Sequence, residues 1–307
     1  MPVIALDLGG TRIKFGVVEN GQLLASASIV VPSSDSFAAL LPLIEQQIGQ
    51  MMQETGSASL DGIGMAFPTI VDSDRMRLLY KYTKYNDAND LDLTDWAKTT
   101  WGAPLFMEND ARAALVGEWQ YGAGKGTNNL VMVTIGTGVG SAALMNGRHL
   151  KGSHYLAGNL GGHQNIRFDG HRCNCDNIGC LESEASSWAL PELLKRHPGY
   201  AESPFAMGED PDFEAVFRLA AAGEKFALSV RASCLEVWAA GILNLVYAYD
   251  PERIVIGGGV MHSAEVILPF IQNKINQAAW LPENAVTVVA AQQPDWAGVL
   301  GMGHLAS

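Results

Sequence analysis

One pattern occurs twice in this chain: strand, glycine turn, strand, Asn-Gly, strand. It limits the possible folds more than any other feature. Val3–Leu8 is an apolar run, with Asp7 near its end, that opens onto Gly9-Gly10-Thr11-Arg12. Ile13–Val18 resumes the strand pattern, Asn20-Gly21 signals a type I′ hairpin, and Leu23–Val31 reads as a third strand. More than a hundred residues later the order returns. Leu130–Ile135 leads into Gly136-Thr137-Gly138-Val139-Gly140, Ser141–Met145 follows, and Asn146-Gly147 closes the second hairpin. Such a repeat describes two related lobes, each begun by a glycine hairpin and facing each other across a cleft.

The rest of the chain alternates helices and strands. Ser34 or Asp35 is expected to cap a helix with the apolar stripe Phe37, Leu40, Leu41, Ile44, Ile48 and Met51, bent by Pro42 near its second turn. Ile63–Phe67 is a buried strand, Leu79–Asp92 is loop-like, and Thr94–Trp101 is a short helix. Leu105–Met107 runs into Glu108-Asn109-Asp110 and a helix over Ala111–Trp119. Helices follow at Ser183–Arg196, Asp212–Ala222, Lys225–Tyr249, Ser263–Ala278 and Ala297–Leu305, the last returning to the first lobe. Strands lie at Arg253–Ile256 and Val286–Ala290. The class is α/β with mixed sheets. The lobes are expected at 1–121 plus 291–307 and at 122–290, divided at the Gly-rich linker Gly122–Asn128.

Within the second lobe sits a polar, Gly-rich stretch with three of the four cysteines. His163, Cys173, Cys175 and Cys180 are spaced H-x9-C-x-C-x4-C, which suits a tetrahedral Cys3His zinc site. A disulfide would leave one of three thiols unpaired, and nothing marks the chain as exported. Four protein ligands fill the metal, so the zinc is structural. Cys234, in a helical segment, reads as a buried apolar residue.

Three glycine turns follow strands: Gly9-Gly10-Thr11-Arg12, Gly136 through Gly140, and Gly257-Gly258-Gly259. Each alone is either a tight turn or a cradle of N–H groups for phosphate; three together favour a nucleotide. None fits a P-loop or a dinucleotide fingerprint. Asp7 is either a turn-bonding carboxylate or the group that orients Mg²⁺ through water. Arg12 and Lys14 either neutralise phosphate or lie on a solvated face. Asp110 is either the N-cap of its helix or the base of a phosphoryl transfer.

These pieces resemble the ROK family of sugar kinases and sugar-responsive repressors. The resemblance rests on D-L-G-G-T at Asp7–Thr11, E-N-D-A at Glu108–Ala111, I-G-T-G-V-G at Ile135–Gly140, the cysteine stretch ending G-C-L-E at Gly179–Glu182, and I-G-G-G-V at Ile256–Val260. It implies a two-lobed actin-like ATPase (ribonuclease H-like) fold with a zinc-stapled loop. It implies ATP-dependent phosphorylation of a hexose or N-acetylhexosamine at its 6-hydroxyl, with Asp110 as general base, Mg²⁺ as helper and a homodimer as the assembly. Asn109, Asp110, His163 and Glu182 are expected to contact the sugar. Gly9, Gly10, Thr11, Arg12, Gly136, Thr137, Gly138, Val139 and Gly140 are expected to hold phosphates, and Gly257, Gly258 and Gly259 to line the adenosine side. The chain departs from the family twice. The family's sugar-bonding Glu before the zinc histidine is missing from Gly158-Asn159-Leu160-Gly161-Gly162-His163, where Asn159 stands in for it, and the Gly after the second cysteine is Asp176.

The alternative is a non-catalytic sugar sensor of the same family. The family's repressors carry a DNA-binding domain ahead of the first glycine turn, and here that turn begins at Gly9. A net charge of −12 repels nucleic acid. No export signal, no apolar run of membrane length and free cysteines place the chain in the cytoplasm, away from membranes.

Overall fold

The computed structural model describes residues 2–31, 36–80, 84–278, 280–282 and 285–307. The expected cap at Ser34 or Asp35 lies outside them. The chain divides into two units. One is Met1–Gly126 with Lys151–Ala157 and Gln292–Ser307; the other is Thr127–Leu150 with Gly158–Ala291.

The first unit is built on β1 (Val3–Leu8), β2 (Arg12–Glu19) and β3 (Gln22–Val30), then α1 (Leu41–Thr55), β4 (Gly62–Phe67), the short β5 (Val71–Asp72) and β6 (Arg77–Leu78), α2 (Leu93–Trp101), β7 (Leu105–Asn109) and α3 (Asp110–Tyr121). Its sheet has the order β3-β2-β1-β4-β7, antiparallel across the hairpins and parallel from β1 to β4 to β7. β4 is buried at every position, as befits a strand covered on both faces, whereas the edge strand β3 alternates exposed and half-buried residues. α1 turns Ile44, Ile48 and Met51 inward, and Pro42 sits in its first turn rather than its second, where a missing N–H costs nothing and no bend follows.

The second unit holds β8 (Leu130–Ile135), β9 (Val139–Met145), β10 (Arg148–His149), α4 (Leu181–Ala185), α5 (Leu190–Arg196), α6 (Phe213–Ala221), α7 (Lys225–Tyr249), β11 (Arg253–Gly257), α8 (Ala264–Asn276) and β12 (Thr287–Ala290). Its sheet order is β10-β9-β8-β11-β12, with the same sequence of antiparallel and parallel pairings as the first. The repeat seen in the sequence is therefore a repeat of topology. The turn after β8 is shorter than expected, because Val139 and Gly140 already pair with Ile135 and Thr134.

Two further sequence expectations need correction. The single helix over Ser183–Arg196 is two helices, broken at Ser186–Ala189. There the N–H groups of Ser187 and Trp188 donate to the carbonyls of Gly136 (3.0 Å) and Thr137 (3.1 Å) instead of continuing the helix. And one run does reach membrane length: by length and composition α7, at 25 residues, could cross a bilayer. Its Val230, Leu235, Trp238, Ile242 and Val246 instead form the core of the second unit with Ile254, Ile256, Ile267 and Ile271. Cys234 lies in that core, and burial pushes its thiol up to about 12.

The closing helix α9 (Ala297–Leu305) belongs to the first unit, where Val299 and Met302 pack with Ala5, Val18, Ala66 and Ala113. Glu118 of α3 ties the chain entering it. Its fully buried carboxylate accepts from the N–H groups of Ala123 (2.7 Å), Gln292 (3.0 Å) and Gln293 (2.6 Å). Removing the carboxylate strands three donors, and hydrogen bonds to a charged group contribute about 1.5–3 kcal/mol each. Glu118→Ala should destabilise the first unit by about 3–5 kcal/mol in urea melts, with Glu118→Gln losing less; equal stability of wild type and Glu118→Ala would refute this account of the closing segment.

Candidate active site

Asp110 stands where β7 gives way to α3. The N-cap is Asn109, one residue earlier than the cap considered from sequence. Its Oδ1 accepts from the N–H groups of Ala111 (3.0 Å) and Arg112 (3.2 Å), and its Nδ2 donates to the Thr69 carbonyl (3.1 Å) and to Asp110 Oδ1 (2.9 Å). Asp110 Oδ1 also accepts from the Ala111 N–H at 2.8 Å. Both bonds go to one oxygen, so Oδ2 is the oxygen offered to an incoming proton. Dense surroundings raise the Asp110 carboxyl to about 7, and the nearby charge of Asp7 adds to the rise. Asp7, on β1 and paired with Lys14 of β2, is itself raised by burial, with Lys14 opposing. Two like carboxylates thus share the C-terminal ends of parallel strands in one sheet, the usual ligand side of such sheets.

The first glycine turn, Gly9 to Thr11, joins β1 to β2. The hydroxyl of the buried Tyr85 donates to the Gly9 carbonyl at 2.7 Å, and Lys84 donates to the Gly10 carbonyl. Arg12 opens β2 with its side chain exposed, within reach of Ser28 Oγ at 3.4 Å. Lys14 is engaged elsewhere: its Nζ donates to the Asp295 carbonyl (2.6 Å) and lies 5.9 Å above the Trp296 ring. Tyr85 and Lys84 were missed in the sequence, since a contact across some 75 residues leaves no local pattern.

Arg112 was missed as well. Fully buried, it pairs with Glu108 at 3.3 Å and donates to the carbonyls of Tyr155 (2.9 Å) and Ala157 (3.1 Å). Lys151 and Tyr155 complete the attachment of this segment through Asp74, at 2.9 and 2.8 Å.

In the second unit, His163, Cys173, Cys175 and Cys180 converge, with ligand atoms all within 4.8 Å of one another. Cys175 Sγ lies 3.6 Å from Cys180 Sγ, and Cys173 Sγ lies 3.5 Å from His163 Nδ1. Zn–S bonds of about 2.3 Å and Zn–N bonds of about 2.0 Å in a tetrahedron require edges of roughly 3.8 and 3.5 Å. The donor set therefore fits zinc. Burial, with the neighbouring thiols, raises the Cys180 thiol, a cost that a bound cation would reverse by taking the thiolate. Asp176, in place of the family's glycine, adopts φ 67° and accepts from Arg172 at 2.8 Å. Buried Glu184 pins the loop from outside: its Oε1 accepts from the His171 N–H at 2.6 Å and lies 3.0 Å from Nδ1 of the same residue.

Glu182, in α4, reaches the second glycine turn. Its Oε2 accepts from the Val139 N–H at 2.8 Å, and its Oε1 accepts from Trp188 Nε1 at 3.1 Å. A Cβ at Gly138 would stand 2.5 Å from that Oε2, so any other residue there would push the carboxylate aside. Gly162 is required more strictly, because its Cβ would fall 1.8 Å from the Val139 carbonyl oxygen of the backbone. Gly257 ends β11, and Gly258 leads into a 3₁₀ helix over Gly259–Ser263. Asn159 is 7% exposed, and neither its Oδ1 nor its Nδ2 has a hydrogen-bond partner. A buried amide with both ends open is costly unless a ligand completes it.

Two outcomes follow. Purified protein should carry one zinc per chain, and Cys180→Ser should lose it and open residues 164–180 to proteolysis; full zinc content in that variant would contradict the assigned ligands. Asp110 has a folded pKa above its unfolded value, so its ionised form opposes folding fully above pH about 7 and not at all below about 4. Asp110→Asn should melt higher than wild type at pH 8, with the gain fading toward pH 4; a pH-independent difference would contradict the shift.

The family model described as ROK family matches residues 3–307. Among curated relatives, the glucokinase of Halalkalibacterium halodurans is 31% identical over 98% of this chain and 94% of its own length. A ROK hexokinase from Thermus thermophilus superposes with a TM-score of 0.81 at 28% identity, covering 100% of this chain and 98% of that one. A ROK glucokinase from Streptomyces griseus, solved with glucose and AMPPNP, gives 0.78 at 27% identity over 99% of both chains. The fold is the actin-like fold of these kinases, and the chain belongs to the ROK family.

Proposed function

We propose that this chain transfers the γ-phosphoryl group of ATP to the 6-hydroxyl of a hexose or N-acetylhexosamine. The observation that carries the reading is Asp110: a carboxyl held at the start of a helix, one oxygen bonded and one offered, with its pKa at about 7. A base poised near neutral pH takes a hydroxyl proton efficiently and is still mostly ionised above it. As the sugar oxygen attacks the γ-phosphorus, its proton passes to Asp110 Oδ2. The new P–O bond forms while the bond to the β–γ bridging oxygen breaks, and ADP leaves with that electron pair.

The relatives support this reading, since the Streptomyces griseus enzyme was solved with glucose and an ATP analogue. Asn159 supports a polar sugar ligand, because its amide offers a donor and an acceptor that nothing in the protein uses. Asn109 acts first as the cap that orients Asp110, since its own hydrogen-bonding positions are filled. Glu182 and His163 would present acceptor and donor groups to the sugar ring from the zinc-held loop. The turns Gly9–Arg12 and Gly136–Gly140 would supply phosphate donors, and Gly257–Gly259 the adenosine side. Mg²⁺ suits the same sheet end, because the charge of Asp7 raises the Asp110 carboxyl and a cation would relieve that repulsion; bound through water to Asp7, it would neutralise phosphate charge.

A coupled ADP-release assay over glucose, mannose, fructose, allose and the N-acetylhexosamines tests the reading. At least one sugar should be turned over, and Asp110→Asn should lower kcat by about 10²–10⁴-fold while zinc content holds. Sugar binding without ADP release would favour a sensor instead. Asn159→Leu, similar in size but unable to bond, should raise the KM of the best sugar tenfold or more at near-constant Tm; an unchanged KM would remove Asn159 from the site.

A further inference from the structure

The break between α4 and α5 does something a continuous helix could not. It delivers Ser187 and Trp188 to the second glycine turn, where their backbone N–H groups hold the carbonyls of Gly136 and Thr137. The Trp188 indole then turns back to donate to Glu182 Oε1 at 3.1 Å, while Glu182 Oε2 accepts from Val139 at the far side of the same turn. Thr137, Val139, Glu182 and Trp188 thus close one ring of hydrogen bonds. It joins the turn proposed to hold phosphate to the carboxylate proposed to hold sugar. The ring is partly open to solvent, since Trp188 is 36% exposed.

From this ring we infer that Trp188 is a positioning residue: it sets the Glu182 carboxylate for a sugar hydroxyl and transmits sugar binding to the phosphate turn. Each carboxylate oxygen has two lone pairs, and one internal donor on each leaves one free for the sugar. The indole N–H and the Val139 N–H fix the plane of the carboxylate, so the free lone pairs have a defined direction. A sugar hydroxyl donating to Oε1 shares that oxygen with Trp188. Any shift of Glu182 on binding pulls on Val139, and with it on the N–H groups of the turn. Sugar and nucleotide should therefore favour each other's binding. The inference rests on reading Glu182 as a sugar contact.

Trp188→Phe keeps the ring and both backbone bonds and deletes only the indole N–H. It should raise the sugar KM roughly tenfold, as expected for a lost bond to a charged group, and the ATP KM less than threefold. It should speed hydrogen–deuterium exchange across residues 135–141 several-fold in the sugar-free protein. Zinc content and Tm should hold, which separates positioning from simple structural damage. Sugar should change the tryptophan emission of the wild type more than that of the variant. An unchanged sugar KM in Trp188→Phe overturns the inference. If the wild type turns over no hexose, the reading of the site falls, and unchanged exchange over 135–141 by itself overturns the inference.

Discussion

Two half-buried carboxylates brought together in dense surroundings at one end of a sheet set the terms for the rest of this structure. Asp7 and Asp110 sit at the C-terminal ends of β1 and β7, with β4 between them. Neither is neutralised by a close cation: Lys14 opposes the rise at Asp7 but is itself bonded to Asp295. Ionising both costs free energy, and the protein holds them there by hydrogen bonds made elsewhere. Asn109 caps α3, Glu108 and Arg112 form a buried pair beneath it, and Glu118 anchors the far end of the helix. A site that stores this kind of electrostatic tension favours a proton, a cation or a substrate that relieves it. On the proposed reading, a hydroxyl about to lose a proton and a magnesium triphosphate would together supply such relief.

The second unit solves a different problem, that of holding a polar segment without a core of its own. Residues 164–180 contain neither helix nor strand among the described elements. Three thiols and an imidazole converge inside the segment with ligand atoms within 4.8 Å of one another, a set that fits zinc, and Glu184 fastens it from outside. Glycine at 138 and 162 allows Glu182 and the segment before His163 to lie directly against the second glycine turn. The broken helix after Cys180 then adds Trp188 to the contact. On the proposed reading, zinc bound there would hold the sugar-binding surface in shape without touching a reacting atom.

Much of this was legible in the sequence because it is local. The Asn-Gly pairs, the glycine turns and the cysteine spacing each act within a few residues, and the repeated hairpins foretold the matching strand orders. What escaped was long-range or marginal in length. β5 and β6, of two residues each, are too short to leave a periodicity. Nothing near Arg112 announces that its partners are the carbonyls of Tyr155 and Ala157. The helix break at Ser186–Ala189 carried one local hint, Pro191, which sits in the first turn of α5 as a helix start would have it. The apolar pattern around it outweighed that hint. α7 passes for a membrane span by length and composition, and the packing of Trp238 and its neighbours places it in a core.

Direct titration of the Asp110 side chain tests the central claim without reference to any substrate. With ¹³C-labelled aspartate and Asp110→Asn as the assignment control, the Asp110 carboxyl should titrate near pH 7, and replacing Asp7 with Asn should bring it down. A carboxyl that titrates near pH 4 and ignores Asp7 would contradict the account, because the group would then be an ordinary solvated aspartate at the start of a helix.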